Sequence, residues 1–160
     1  MRKVNLGCGY RKFSEYINVD FNPYCMPDIL HDLNKGLPFD SDSIDEIVAY
    51  DFIEHCRDFV STMNEIGRVL KVGGTAKFVF PLWTQEGAFS IAHSRVVVYQ
   101  DFHCFVPKKL KNFTVSLNGE KVNKCFKVLM EKTIQGKCEH CPKRGFHTNP
   151  KCHVILEKIQ

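Results

Sequence analysis

Apolar residues in the first half of the chain come in short β-type runs, each closed by a turn or an acid. Val4-Asn5-Leu6 runs into Gly7-Cys8-Gly9, and Tyr16-Ile17-Asn18-Val19 ends at Asp20. Pro27 to Leu33 is a third run, carrying Asp32, and Ile44 to Tyr50 is a fourth, entered from a polar loop at Leu37 to Ser43. Phe59, Val60, Met63, Ile66, Val69 and Leu70 then recur at the spacing of one helix face. Gly73-Gly74 falls where a left-handed cap would end that helix, and Thr75 to Pro81 is a fifth run rich in β-formers. Strands alternating with crossovers predict a mostly parallel α/β sheet whose ligand sits beyond the carboxyl ends of the strands. Gly7, Asp20, Asp32 and Asp51 all fall at those ends.

The opening run has a nucleotide-binding layout. Glycines at positions 7 and 9 let the backbone turn sharply and approach a ligand. A carboxylate at the tip of the next strand, Asp20, can accept hydrogen bonds from both hydroxyls of a ribose. It is not a dinucleotide fingerprint: Lys12 stands where a third glycine would, and Asp20 follows Gly9 by only eleven residues. A glycine turn between two ordinary buried strands is the alternative.

The succession LGCG, INVD, HDLNKGLPFDSDSIDEIVAYDFIEH and EIGRVLKVGGTAKFVFP resembles the class I S-adenosylmethionine-dependent methyltransferases over residues 3 to 82. It is most similar to a small branch in which a very short link joins the first two strands. RVLKVGG is the most specific piece, with Val72 where the family commonly has proline. The resemblance implies a Rossmann-like, doubly wound, mostly parallel seven-stranded sheet with a C-terminal antiparallel hairpin. It also implies cofactor-binding roles: Gly7-Cys8-Gly9 under the methionine part and ribose, Asp20 on the ribose hydroxyls, Asp32 and Leu33 at adenine, and Tyr50 and Asp51 bordering the sulfonium. For Asp32 a turn-capping acid is the alternative.

The 160 residues, 44% of them hydrophobic, suffice for one domain with one core. No apolar stretch approaches the roughly eighteen residues of a membrane span, and the first strand begins almost at the N-terminus, so a cytoplasmic protein without membrane association is expected. Family members often cover substrate with N-terminal helices, whereas Arg2 already abuts the first strand here. A homodimer or a partner subunit is expected to supply that cover.

Charge is unevenly shared: residues 1–106 carry ten Lys and Arg against fourteen acids, and residues 107–160 carry twelve against four. The basic third suits an anionic partner, nucleic acid first, or is simply a solvated lysine surface.

Methyl transfer is an in-line displacement, served chiefly by positioning and, where the acceptor carries a proton, by a base. Asp51, Glu54 and His55 follow the fourth strand at i, i+3 and i+4 and share a face if the chain turns helical there. His55 is the candidate base, with Asp51 beside it as a second catalytic candidate, and support of the pocket is the alternative for Glu54 and His55. Ala49-Tyr50-Asp51-Phe52 lacks the Asn/Asp-Pro-Pro-Tyr/Phe pattern that amino-directed nucleic-acid methyltransferases use. After the fifth run, Trp83, His93 and His103 lie in an aromatic, imidazole-rich segment suited to a substrate lid or to packing under a loop.

Lys124 to Gln135 and Cys152 to Ile159 read as the terminal hairpin. Between them, Cys138 and Cys141 have zinc-ligand spacing, and His147 and Cys152 complete a tetrahedral set for a structural zinc in a 136–152 insertion. His140 or His153 as fourth ligand, or cysteines without metal, are the alternatives. Two functions follow: a methyltransferase with an unknown acceptor, nucleic acid being one candidate class, or a non-catalytic methyltransferase-like scaffold whose basic hairpin binds RNA or a protein.

Overall fold

The structure is a computed structural model that describes residues 1–84, 86–103, 105–106, 126–134 and 151–159. In chain order its elements are β1 (Lys3–Leu6), β2 (Ile17–Asp20), β3 (Ile29–Leu30), β4 (Ile44–Tyr50), α1 (Phe59–Val69), β5 (Leu70–Pro81), α2 (Tyr99–His103), β6 (Phe126–Ile134) and β7 (Lys151–Lys158). The strands form one sheet in the order β3-β2-β1-β4-β5-β7-β6. β1 to β5 pair in parallel, and β7 runs antiparallel to both β5 and β6. The seven-stranded sheet with its terminal hairpin is therefore as expected. Strand order reverses between β1 and β4, which puts the ligand crevice of such a sheet at their carboxyl ends.

The central strands are apolar because both faces are covered: Val4, Leu6, Val19 and Ile47 have no exposed surface. α1 lays its stripe of Phe59, Met63, Ile66 and Val69 on the sheet, each such side chain contributing about 1.5–3 kcal/mol. Asp58 starts the helix by accepting the Ser61 amide at 2.9 Å. Beyond β5 the chain returns to the sheet through Phe102 and Phe105, both fully buried, which contact the Phe59 ring at centroid distances of 5.5 and 5.9 Å. These two aromatics belong to the core rather than to a lid.

Two local expectations are corrected. The Gly73-Gly74 pair does not cap α1: the helix ends at Val69 and passes straight into β5, with the Leu70 amide donating to the Ile66 carbonyl. Ile44 pairs with Leu70 and Glu46 with Thr75, so Asp45 alone faces Lys71 to Gly74. The glycines make this bulge possible: Gly73 sits at φ +81°, and a Cβ on Gly74 would stand 2.9 Å from the Lys71 carbonyl oxygen. The third run also shrinks to Ile29–Leu30, a two-residue edge strand, which keeps the open edge short.

The link from β1 to β2 is held by buried amides rather than by a helix. Asn5, 1% exposed, donates to the Asn18 side chain at 3.0 Å and to the Arg11 carbonyl at 2.8 Å. Asn18 also accepts the Phe13 amide at 3.0 Å and donates to Asp28 at 2.7 Å. This network fixes the path of residues 7–16, and so the position of the glycine turn, without the bulk of a crossover helix.

Candidate functional site

A cleft of about 570 Å³ opens at the carboxyl ends of β1, β2 and β4, within the roughly 300–1,000 Å³ usual for small-molecule sites. Its walls include Gly7, Gly9, Asp20, Asp32, Leu33 and Asp51. Gly7 is needed twice over, because its φ is +61° and a Cβ there would lie 2.4 Å from the Phe52 ring. Gly9 is also left-handed, at φ +48°, but nothing stands within 4 Å of where its Cβ would be. Its backbone is the part of the turn that opens onto the cleft.

Asp20 is only 7% exposed and ties the turn to β2. One carboxylate oxygen accepts the Gly9 amide at 2.8 Å and the other the Asn22 amide at 2.9 Å. Each oxygen keeps a second lone pair, so two ligand hydroxyls can still be accepted. Asp32 is placed on the wall and also caps a one-turn 3-10 helix, accepting from the Asn34 amide at 3.1 Å. Hydrogen bonds from Asn34 hold its carboxyl below the usual range. Capping and cleft-lining are thus combined in Asp32.

Cys8 and Tyr50 are not among the residues lining the cleft. The Cys8 thiol is buried, and burial, with Asp20 nearby, pushes it up to about 11. The Tyr50 ring packs between Phe13, Arg11 and Lys77, with the Arg11 guanidinium carbon 5.0 Å and the Lys77 ammonium 5.5 Å from its centroid. Asp51 is on the wall, in the left-handed conformation at φ 50°, with its amide donating to the Val79 carbonyl at 2.8 Å. Its carboxylate accepts from the Lys151 ammonium, an ion pair that joins β7 to the end of β4.

Past Asp51 the chain makes a 3-10 turn, Ile53–His55, onto which the segment after β5 folds. The Ser94 amide donates to the Glu54 carbonyl at 2.9 Å, and the His55 ring is 3.0 Å from the Ala92 carbonyl through Nδ1. A carbonyl only accepts, so this contact selects the Nδ1–H tautomer and leaves the Nε2 lone pair of His55 open. His55 and Ala92 both line the cleft, and the His93 ring stands edge-on to His55 with centroids 4.7 Å apart. Glu54 points inward: it is 2% exposed and neither carboxylate oxygen has a hydrogen-bond partner. Burial, with Asp51 nearby, pushes its carboxyl up to about 7.

Trp83 is 55% exposed and does not line the cleft. His103 ends α2, and its side chain lies outside the described residues. Cys138, Cys141 and His147 also lie outside them, whereas Cys152 is a β7 core residue opposite Phe80 and Thr133. Sequence reasoning missed the supports: Asn5, Asn18 and Asp28 under the glycine turn, Phe52 against Gly7, and Lys151 on Asp51. Amides inside otherwise apolar β-runs were the available signal for the first two.

The comparisons agree with this geometry. Residues 4–78 match a family model described as a methyltransferase domain. One structural neighbour is a chain of the complex between the Haloferax volcanii Trm112 methyltransferase activator and a methyltransferase, 17% identical, with a TM-score of 0.68 over 99% of this chain and 83% of that one. The YcgJ protein from Bacillus subtilis is 13% identical, with a TM-score of 0.61 over 99% of this chain and 92% of that one. An S-adenosylmethionine-dependent methyltransferase from Methanosarcina mazei is 15% identical, with a TM-score of 0.59 over 99% and 92%. No curated protein matches the chain. The fold is that of the class I S-adenosylmethionine-dependent methyltransferases, and the matched residues 4–78 supply every residue that lines the cleft except Ala92.

Proposed function

We propose that this chain binds S-adenosylmethionine in the cleft and transfers its methyl group to an acceptor that enters over His55 and Ala92. The observation that carries the reading is Asp20, a buried carboxylate that pins the Gly9 turn while keeping two lone pairs for a ribose. The donor set fits: an open glycine backbone for the methionine end, Asp20 for the hydroxyls, and Asp32 with Leu33 for the base. When bound, S-adenosylmethionine supplies a methyl carbon on a cationic sulfonium, which leaves with the C–S electron pair as the new bond to the acceptor forms. The chain's own contribution is to hold the acceptor in line and to receive its proton. His55 takes this role because it lines the cleft and its Nδ1 is bound to the Ala92 carbonyl, which leaves Nε2 as the basic nitrogen. Asp51, held by Lys151, adds negative charge near the sulfonium end.

The net positive charge of residues 107–160 favours an anionic acceptor, with nucleic acid as the leading class. A partner subunit fits the same reading, since Tyr10 and Phe21, which line the cleft, are largely exposed. The deciding experiment incubates the chain with tritium-labelled S-adenosylmethionine and cell extract. Label transferred by wild type and lost in Asp20→Ala supports the enzyme. Cofactor binding without transfer to any fraction would leave a scaffold.

A further inference from the structure

We propose that Glu54, His55 and His93 form a binding site for a divalent first-row transition-metal ion at the acceptor end of the cleft. One potential ligand atom from each of the three lies within 4.8 Å of the others, and bonds of about 2.1 Å would draw them closer still. One carboxylate and two imidazoles are a donor set that suits such ions.

Two further observations point to an ion rather than to a chance cluster. Glu54 is 98% buried with both carboxylate oxygens unpartnered, a desolvated carboxyl group whose oxygens find no hydrogen-bond donor among the described residues. A cation between it and the imidazoles supplies what is missing. Both imidazoles are also set as metal ligands usually are, with the second ring nitrogen bound to a carbonyl. His55 Nδ1 is 3.0 Å from the Ala92 carbonyl and His93 Nδ1 is 3.3 Å from the Ala88 carbonyl, so the Nε2 lone pairs are left for the ion. Three protein ligands leave coordination positions open, as a catalytic rather than a structural site requires.

For the ion's role this inference rests on the methyltransferase reading, and it changes one part of it. A ligated His55 holds the metal instead of a proton. An acceptor oxygen or nitrogen bound at an open position gives up its proton more readily to solvent.

The test uses Mn²⁺ on the full chain stripped with chelator, because the thiolates of Cys138 and Cys141 compete poorly for that ion. Loss of the free Mn²⁺ paramagnetic resonance signal should show one ion bound per wild-type chain. Glu54→Gln, which keeps the shape and removes the buried charge, and His93→Ala should each weaken binding tenfold or more, while Cys138→Ser should leave it unchanged. Wild type that binds no Mn²⁺, or binding that survives both substitutions, overturns the site. S-adenosylhomocysteine calorimetry on the same preparations separates the two readings: cofactor bound without metal defeats the metal site alone, and metal bound without cofactor defeats the methyltransferase reading.

Discussion

At the residue scale the two glycines of the turn have different duties, and substitution separates them. Gly7→Ala places a methyl group into Phe52 and a non-glycine residue in the left-handed region, which alone costs about 1–2 kcal/mol. With the clash added, thermal denaturation should show a fall of at least about 2 kcal/mol, or roughly 5 °C. Gly9→Ala meets no protein atom and should lower Tm by less, yet its methyl group would stand where the backbone meets a ligand, so calorimetry should show the larger loss in S-adenosylhomocysteine affinity. Equal effects of the two on affinity would contradict this division. Asp20→Ala leaves the Gly9 and Asn22 amides without acceptors and would remove both of the proposed ribose contacts. At about 1.5–3 kcal/mol for each hydrogen bond to a charged group, cofactor affinity should fall tenfold or more, and an unchanged value would remove Asp20 from the pocket.

At the element scale, α1 anchors the loop that precedes β4. Glu65 accepts the Leu37 amide at 2.9 Å and pairs with Arg68, whose guanidinium donates to the Leu37 and Phe39 carbonyls at 3.1 and 2.9 Å. Arg68 holds the Glu65 carboxyl below its usual range. A carboxyl lowered in the folded state adds stability above its unfolded pKa, and this is lost as pH falls through the folded value. Glu65→Gln should therefore destabilise the chain by about 1–2 kcal/mol near pH 7 in denaturant unfolding, and the difference should close as pH falls below about 4. A pH-independent difference would assign the effect to packing.

The same scale shows what the sequence allowed to be read. β1, β2, β4 and α1 were legible because each buries an apolar pattern with its own period. The bulge at Gly73-Gly74 was not, since a glycine pair after a helical stripe has the same appearance whether it caps the helix or bends the strand after it. Tyr50 follows Ala49 on β4, and its ring went to Arg11 and Lys77 on a side the motif alone did not reveal. Asp20 and Asp32 came from position in the strand order. The meeting of Glu54, His55 and His93 depends on docking of the segment after β5, thirty-seven residues from His55 to Ala92, and no local pattern carries that distance.

At the scale of the whole molecule, one sheet carries both the cleft and the terminal hairpin, and Lys151 and Lys158 tie the hairpin back. Lys158 is 7% exposed and donates to Asp42 at 2.7 Å and to the Leu70 carbonyl at 2.8 Å, at the end of the sheet opposite the cleft. Lys158→Ala removes a buried charge together with two partners, so urea unfolding should show a loss of about 1–3 kcal/mol with S-adenosylhomocysteine affinity unchanged. A loss of affinity instead would mean that the hairpin transmits strain to the cleft. No described helix is long and apolar enough to cross a membrane.

The central claim is that the glycine turn and Asp20 make an S-adenosylmethionine pocket, and calorimetric titration of the purified wild-type chain with S-adenosylhomocysteine tests it most directly. The account predicts saturable binding of one molecule per chain, weakened at least tenfold by Asp20→Ala. A folded wild-type chain that binds none would contradict it.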